Sequence, residues 1–327
     1  MAPRITIVGT GLIGASLGLA LKKAKLGYEI VGHDKSTTAA NKAKKLGAVD
    51  KTEWNLINAV EGAGLVILAL PVDAIKPTLE AIAPYLSEGA VVTDTASTKQ
   101  LVLDWAKTIL PPGVNFVGGH PLVRADAANA DAASADLFTG ATYCLIPGAG
   151  AQPDAVQLLV GLATTVGAEP FFPDATEHDN FQAAVAHLPL LLATALMDVA
   201  TASPANREIR KMAGADFRRA TALADTDAET SAQICAANRD GILRWMDAYT
   251  KELARLRVLV AAGGPQLQEV FDQAAASRAQ WGTREEDERS VAMKAATDTA
   301  SDQMKRFFLG DLGKKIGKGA AGKTAAK

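Results

Sequence analysis

The feature that most constrains this chain is a glycine turn close to its start. Arg4-Ile5-Thr6-Ile7-Val8 is a short β-branched run, followed at once by Gly9-Thr10-Gly11-Leu12-Ile13-Gly14 and a series of helix formers. Strand, glycine turn and helix in direct succession form the opening unit of a dinucleotide-binding fold. Gly9 permits the tight turn, Gly11 lets a pyrophosphate approach the backbone, and Gly14 lets the helix pack close to the strand. The helix N-terminus, with Leu12 and Ile13 in its first turn, then faces the phosphates. A second strand, Tyr28 to Gly32, ends in His33-Asp34 and sets a carboxylate 20 residues after Gly14, where a ribose 2′-hydroxyl needs an acceptor. Asp34 favours NAD, because a carboxylate there repels a 2′-phosphate. Lys35, Ser36 and Thr37 follow directly and can cradle that phosphate, which keeps NADP as the alternative.

A chain of 327 residues suits two domains, and 48% hydrophobic residues with 5% aromatic imply aliphatic, alanine-rich cores. A formal charge of −2 gives no general reason to expect a nucleic-acid or membrane partner, so a small-molecule substrate is expected. Cys144 and Cys235 offer neither a disulfide framework nor a metal cluster and read as core residues of a protein in a reducing compartment. The first strand begins within a few residues of Met1, leaving no room for a signal segment. No stretch approaches 18 uninterrupted apolar residues, and a cytoplasmic location is expected. Residues 309–327, with lysines 314, 315, 318, 323 and 327 among glycines and alanines, read as a basic flexible tail.

Strand and helix signals alternate from the glycine turn to about residue 172. A polar helix over 37–46 precedes the apolar run Leu65 to Leu70, which reads as a strand covered on both faces. A helix over 72–86, a strand over 90–94, a helix over 99–109 and strands at 114–117, 143–146 and 169–172, with a helix over 153–166, complete a doubly wound parallel sheet. Residues 1–172 are therefore read as a Rossmann-type α/β domain. Past Pro173 strand signals vanish, and helical periodicity fills 175–202, 205–213, 227–262, 265–281 and 284–307. Residues 173–308 thus read as an all-helical second domain. Its apolar content exceeds what one copy is expected to bury, which points to a homodimer.

Ligands of such sheets sit beyond the carboxyl ends of the strands. Leu70-Pro71 follows one strand and is expected to line the nicotinamide side. Asp94-Thr95-Ala96-Ser97-Thr98-Lys99 follows the next and offers a hydroxyl and an ammonium. Gly118-Gly119-His120-Pro121 places a histidine at a strand end, between flexible glycine and rigid proline, and makes His120 the best base candidate. Of the other three histidines, His33 abuts the adenosine side and His178 reads as a local cap or pair. His187 stands beside Pro189, which kinks the helix and helps point a side chain into a pocket between domains.

Taken in order, Gly9 to Leu17, Asp94 to Lys99, Gly118 to Pro121 with Leu137-Phe138, Glu177-His178-Asp179 and His187-Leu188-Pro189 resemble the prephenate and arogenate dehydrogenase family from residue 4 to about 250. The resemblance implies NAD(P)-dependent oxidative decarboxylation on the route to tyrosine. By it, His120 takes the proton of the ring hydroxyl as hydride leaves, Ser97 orients that hydroxyl and the histidine, and His187 is a substrate-pocket residue. Oxidation of the ring alcohol creates an electron sink, so aromatisation drives loss of carbon dioxide without a dedicated decarboxylating residue.

The sequence departs from the family pattern in the substrate pocket. Where the family often reads His-Pro-Met-Ala-Gly-(Thr/Ser)-Glu, this chain has His120-Pro-Leu-Val-Arg124-Ala-Asp126, and Leu190 stands where a second histidine is common. The arginine that ends the family's Phe-Arg-Asp-x-Thr-Arg stretch and grips a substrate carboxylate is Ala222 here. A desolvated carboxylate needs a cation or several donors. Arg124, Arg218 and Arg219 are the candidates to replace it, with Arg124 favoured because it lies four residues after His120. Two other readings stay open: a dehydrogenase or reductase for another small hydroxy or keto acid, and a non-catalytic NAD(P)-binding regulatory protein.

Overall fold

A computed structural model of the chain describes residues 3–123 and 132–281. Its first unit, which extends to Ala175, contains eight strands: β1 (Arg4–Val8), β2 (Glu29–His33), β3 (Lys51–Thr52), β4 (Leu65–Leu68), β5 (Val91–Asp94), β6 (Asn115–Pro121), β7 (Thr142–Pro147) and β8 (Glu169–Phe171). They form one sheet in the order β3-β2-β1-β4-β5-β6-β7-β8. Six helices connect them: α1 (Leu12–Lys23), α2 (Thr37–Lys45), α3 (Leu56–Val60), α4 (Val72–Ile82), α5 (Gln100–Ile109) and α6 (Pro153–Thr165). Helices on both faces account for the composition of the central strands. Ile5, Ile7, Leu65 and Ile67 are wholly buried, each contributing about 2 kcal/mol through removal from water.

Parallel register aligns the strand ends. Val8 stands opposite both His33 and Leu68, and Leu68 opposite Asp94. The glycine turn after β1, the Leu70-Pro71 corner and the loop after β5 therefore leave the sheet at one edge, as expected for a doubly wound sheet.

Three details differ from the sequence reading. The sheet is not parallel throughout, because β7 runs antiparallel to β6, with His120 opposite Cys144 and Pro121 opposite Tyr143. This pairing carries β6 on to Pro121, so Gly118-Gly119-His120-Pro121 is strand and not the loop after one. Finally, β3 and α3 fill a stretch with no assigned element. A strand of two residues has no readable alternation, and α3 is a five-residue helix marked chiefly by Asn55, whose side chain accepts the Asn58 N–H at 3.1 Å.

The second unit begins at Thr176 and is helical. Its elements are α7 (Ala175–Gln182), a π-helical turn (Ala183–His187), α8 (Leu188–Ala202), α9 (Asn206–Met212), α10 (Ala215–Thr221), α11 (Ala228–Ala237) and α12 (Arg239–Ala262), with residues 265–281 also helical. The helix expected over 175–202 is continuous but changes register in the middle. Pro189 has no N–H to return to Val185, and just before it the Leu188 N–H bonds the Ala183 carbonyl, five residues back. The helix expected over 227–262 breaks at Asn238, whose φ of −116° and ψ of 35° separate α11 from α12. The short helix α10 covers residues that had no helix assigned. The expected helix over 284–307 and the basic tail over 309–327 lie outside the described residues.

Ala175–Ala202 is a 28-residue helical run, long and apolar enough by length and composition to cross a membrane. Its buried face nevertheless carries His178, Asp179, Gln182 and His187, while Val185, Leu196 and Val199 are exposed along it. Trp245 of α12 donates its indole N–H to the Asn180 carbonyl at 3.1 Å. That contact and those of Asn238, described below, tie α12 to the stretch around the π turn.

Candidate active site

The three glycines of the first turn differ in what surrounds them. Gly9 adopts φ +92°, and a Cβ there would stand 2.2 Å from the Ala69 carbonyl oxygen at the end of β4. A Cβ on Gly14 would meet the Gly9 carbonyl at 1.9 Å. Both positions exclude any side chain, one by turn geometry and both by backbone contact. Gly11 has an ordinary φ of −66°, and nothing lies within 4 Å of where its Cβ would be. Its smallness leaves open space above the start of α1, where no side chain caps the first N–H groups. An uncapped helix N-terminus beneath open space suits a pyrophosphate.

Asp34 is fixed beside this turn. Its Oδ2 accepts the Thr10 N–H at 2.8 Å and the Thr10 hydroxyl at 3.1 Å, and its Oδ1 accepts the Ser36 N–H at 2.8 Å. The Ser36 hydroxyl caps α2 by accepting the Ala39 N–H. Leu70 is half-buried with its Cδ2 near Gly9, and Pro71 is exposed at the start of α4. The residues present thus fit a dinucleotide: an open glycine, free helix N–H groups around Leu12 and Ile13, and a carboxylate held at the end of β2.

At the neighbouring strand ends lies a wholly buried ion pair, Lys99 with Asp94. Lys99 Nζ also donates to the Gly119 carbonyl at 2.7 Å. Asp94 accepts the Ala96 N–H at 2.9 Å on Oδ2 and the Gly119 N–H at 3.2 Å on Oδ1. Two buried charges are tolerable only when their remaining donors and acceptors are satisfied, and here the backbone on both sides supplies the partners. The consequence is positional: the β5 loop bearing half-buried Ser97 is tied to β6 at the residue before half-buried His120.

Gly119, directly before His120, has a steric reason and not a flexible one. Neither Gly118 nor Gly119 has a positive φ. A Cβ on Gly119 would stand 2.5 Å from the Asp94 carbonyl and 3.1 Å from Cε1 of Tyr143. Burial and the Asp94 charge push the Tyr143 phenol well above its usual range, so it stays protonated.

In the helical unit His187 ends the π turn and is 3% exposed. Its Nδ1 lies 3.1 Å from Nδ2 of Asn238, and its Nε2 is buried with no hydrogen-bond partner among the described residues. Burial lowers its pKa to about 4, with the neighbouring Asp179 opposing that shift and His178 adding to it. His178 is buried and pairs with Asp179 through Nδ1 at 2.8 Å, the local pairing expected of it. Arg219 binds the adjacent Asp216 in an exposed pair. Arg218 reaches the Ala213 carbonyl at 3.3 Å and lines a cleft with Asp198 and Asp225, whose carboxylates make it a poor seat for an anion. Arg124 lies outside the described residues.

The sequence reading gave no separate role to Asp94 or Asn238, whose buried side chains organise the hydrogen bonds described above. Asp94 was legible as the acid that opens a strand-end motif ending in Lys99. Asn238 left a fainter signal, a poor helix former followed three residues later by glycine within a long helical stretch.

Residues 17–171 match the family model of the prephenate dehydrogenase nucleotide-binding domain, and residues 174–273 that of the prephenate dehydrogenase dimerization domain. The prephenate dehydrogenase of Bacillus subtilis (strain 168) is 33% identical over 80% of this chain and 71% of its own length. The chain belongs to the prephenate dehydrogenase family. The cyclohexadienyl dehydrogenase of Zymomonas mobilis is 28% identical over 84% of this chain and 94% of its own length. The crystal structure of Synechocystis arogenate dehydrogenase superposes with a TM-score of 0.73 at 27% identity, covering 85% of this chain and 99% of that one. As a member of the prephenate dehydrogenase family the protein is an oxidoreductase that uses NAD or NADP. The match to the nucleotide-binding model begins at residue 17, just past Gly14, so the reading of the glycine turn rests on its geometry.

Two outcomes are expected. Gly11→Ala should leave the melting temperature unchanged and weaken dinucleotide binding by at least roughly tenfold, about 1.4 kcal/mol, measured by calorimetric titration. His187 has a folded-state pKa below the usual 6.5, so the unfolded chain binds more protons between those values. The stability this residue contributes is complete above about pH 6.5 and is lost as pH falls toward 4, on the order of 3 kcal/mol. Urea unfolding at pH 7 and pH 4.5 should show a fall in the wild type that His187→Gln reduces.

Proposed function

We propose that this enzyme oxidises and decarboxylates prephenate or arogenate, passing hydride from the ring carbinol carbon to NAD or NADP with loss of carbon dioxide. The observation that carries the reading is the Asp94–Lys99–Gly119 bridge, which holds the Ser97 loop and the His120 strand end together at the edge where the glycine turn also opens. When bound, the nicotinamide ring accepts the hydride. His120 takes the proton of the ring hydroxyl, and Ser97 holds that hydroxyl toward the imidazole. The buried Lys99–Asp94 pair sets the distance between these two groups. Leu70 and Pro71 line the nicotinamide side. Asp34 meets the adenosine ribose and favours NAD.

His187 serves the substrate as a hydrogen-bond donor, in keeping with its suppressed basicity. With Arg219 paired to Asp216 and Arg218 beside two carboxylates, Arg124 is the cation assigned to a substrate carboxylate. A homodimer accounts for the apolar side chains exposed along Ala175–Ala202 and for Val258 and Val260 on α12. Burial of the helical run against a second copy removes the need for a membrane and fits a cytoplasmic enzyme.

The test is direct: incubate the protein with NAD or NADP and either prephenate or arogenate, and follow absorbance of the reduced cofactor. Turnover is expected with at least one pairing, and His120→Ala should lower kcat/KM by about 10²-fold or more. No reduction with any pairing would favour a dehydrogenase of another small hydroxy or keto acid. Light scattering at micromolar concentration should give twice the mass of one chain, and a monomer would remove the dimer.

A further inference from the structure

Asn238 sits at the break between α11 and α12 and is 7% exposed. Its Nδ2 donates to the Asp179 carbonyl at 2.6 Å and lies 3.1 Å from Nδ1 of His187. Chemistry fixes which way this amide faces. The Asp179 carbonyl can only accept, and turning the amide over would set two oxygens against each other at that distance. The NH₂ group therefore faces Asp179, and its second hydrogen faces His187. An amide N–H has no lone pair to offer, so Nδ1 must be the acceptor and the proton of the neutral imidazole must sit on Nε2.

That Nε2–H is buried and has no partner among the described residues. A buried donor left without a partner is unfavourable and calls for an explanation, and a hydrogen bond to a bound ligand is one that fits here. The surroundings are built to keep it. A Cβ on Gly241 would stand 2.5 Å from Oδ1 of Asn238, so the glycine one turn along α12 makes room for the amide. The titratable neighbours that act on His187 are Asp179 and His178, and these are paired with each other.

We propose that Asn238 is a positioning residue that locks His187 in the Nε2–H tautomer, so that the imidazole presents one fixed hydrogen-bond donor to an acceptor oxygen of the substrate. The identity of that acceptor rests on the function proposed above; the tautomer does not. The two histidines thereby divide the work. His120 takes up a proton, and His187, whose one lone pair is occupied by Asn238, only donates a hydrogen bond.

Nitrogen NMR of the ¹⁵N-labelled full-length chain reads the tautomer without substrate, with the His187 signals identified by their loss in His187→Gln. The wild type should show Nδ1 as the unprotonated and Nε2 as the protonated nitrogen. Asn238→Asp, which places an acceptor against Nδ1, should reverse the pair, and Asn238→Ala should give a mixture. In turnover assays Asn238→Asp should raise KM by roughly tenfold and change kcat by less than about threefold, the signature of lost uniform binding. In a His187→Gln background, where the donor amide has no tautomers, Asn238→Asp should add no further effect. A wild-type His187 protonated on Nδ1, an unchanged tautomer in Asn238→Asp, or additive effects of the two substitutions would each overturn the proposal. A wild-type protein with the expected tautomer but no turnover of prephenate or arogenate would overturn the substrate reading alone.

Discussion

Backbone pressed against backbone is the constraint on which the first unit depends. The turn after β1 brings the Gly9 backbone against Ala69 of the next strand and against Gly14 of the following helix, at separations that leave no room for a single extra carbon. Only that closeness lets α1 begin directly over the sheet edge with its N–H groups unclaimed. Everything placed at the same edge follows from parallel register, which brings the ends of β1, β2, β4 and β5 level. The register brings the glycine turn, Asp34 and the loop after β5 to one edge from residues distant in sequence.

Charge does for the second half of that edge what close packing does for the first. Asp94 and Lys99 are both entirely removed from water, an arrangement that would be unfavourable if either lacked partners. Their partners are the backbone groups of Ala96 and Gly119, so the ion pair works as a clamp between two strands. Such a clamp specifies position more than it adds stability, because well-packed apolar side chains of similar volume would serve stability as well.

Much of this was legible in the residues because steric and periodic signals are local. The three glycines declare three different roles in six residues, and an apolar run such as Leu65 to Leu68 declares a strand buried on both faces. The antiparallel turn of β7 was not legible, since Thr142–Pro147 reads the same whichever way it runs. The glycines before His120 suggested flexibility, whereas contact with the Asp94 backbone and the Tyr143 ring is the reason for the smaller of the two spaces. Such contacts join residues more than 20 positions apart and leave no periodic trace. The same holds for Asn238, which meets His187 across 51 residues, and for the π turn, where Pro189 signals a disturbance but not the register shift that resolves it.

The reversal at β6 and β7 has an evolutionary consequence. Because Pro121 and Tyr143 are paired across an antiparallel ladder, the chain leaves and re-enters the sheet on one side, and that side is where the dinucleotide turn opens. Changes of sequence between those two strands can therefore leave the paired residues of the ladder unaltered. It is in this connection that the sequence carries Arg124 where the family pattern often reads glycine.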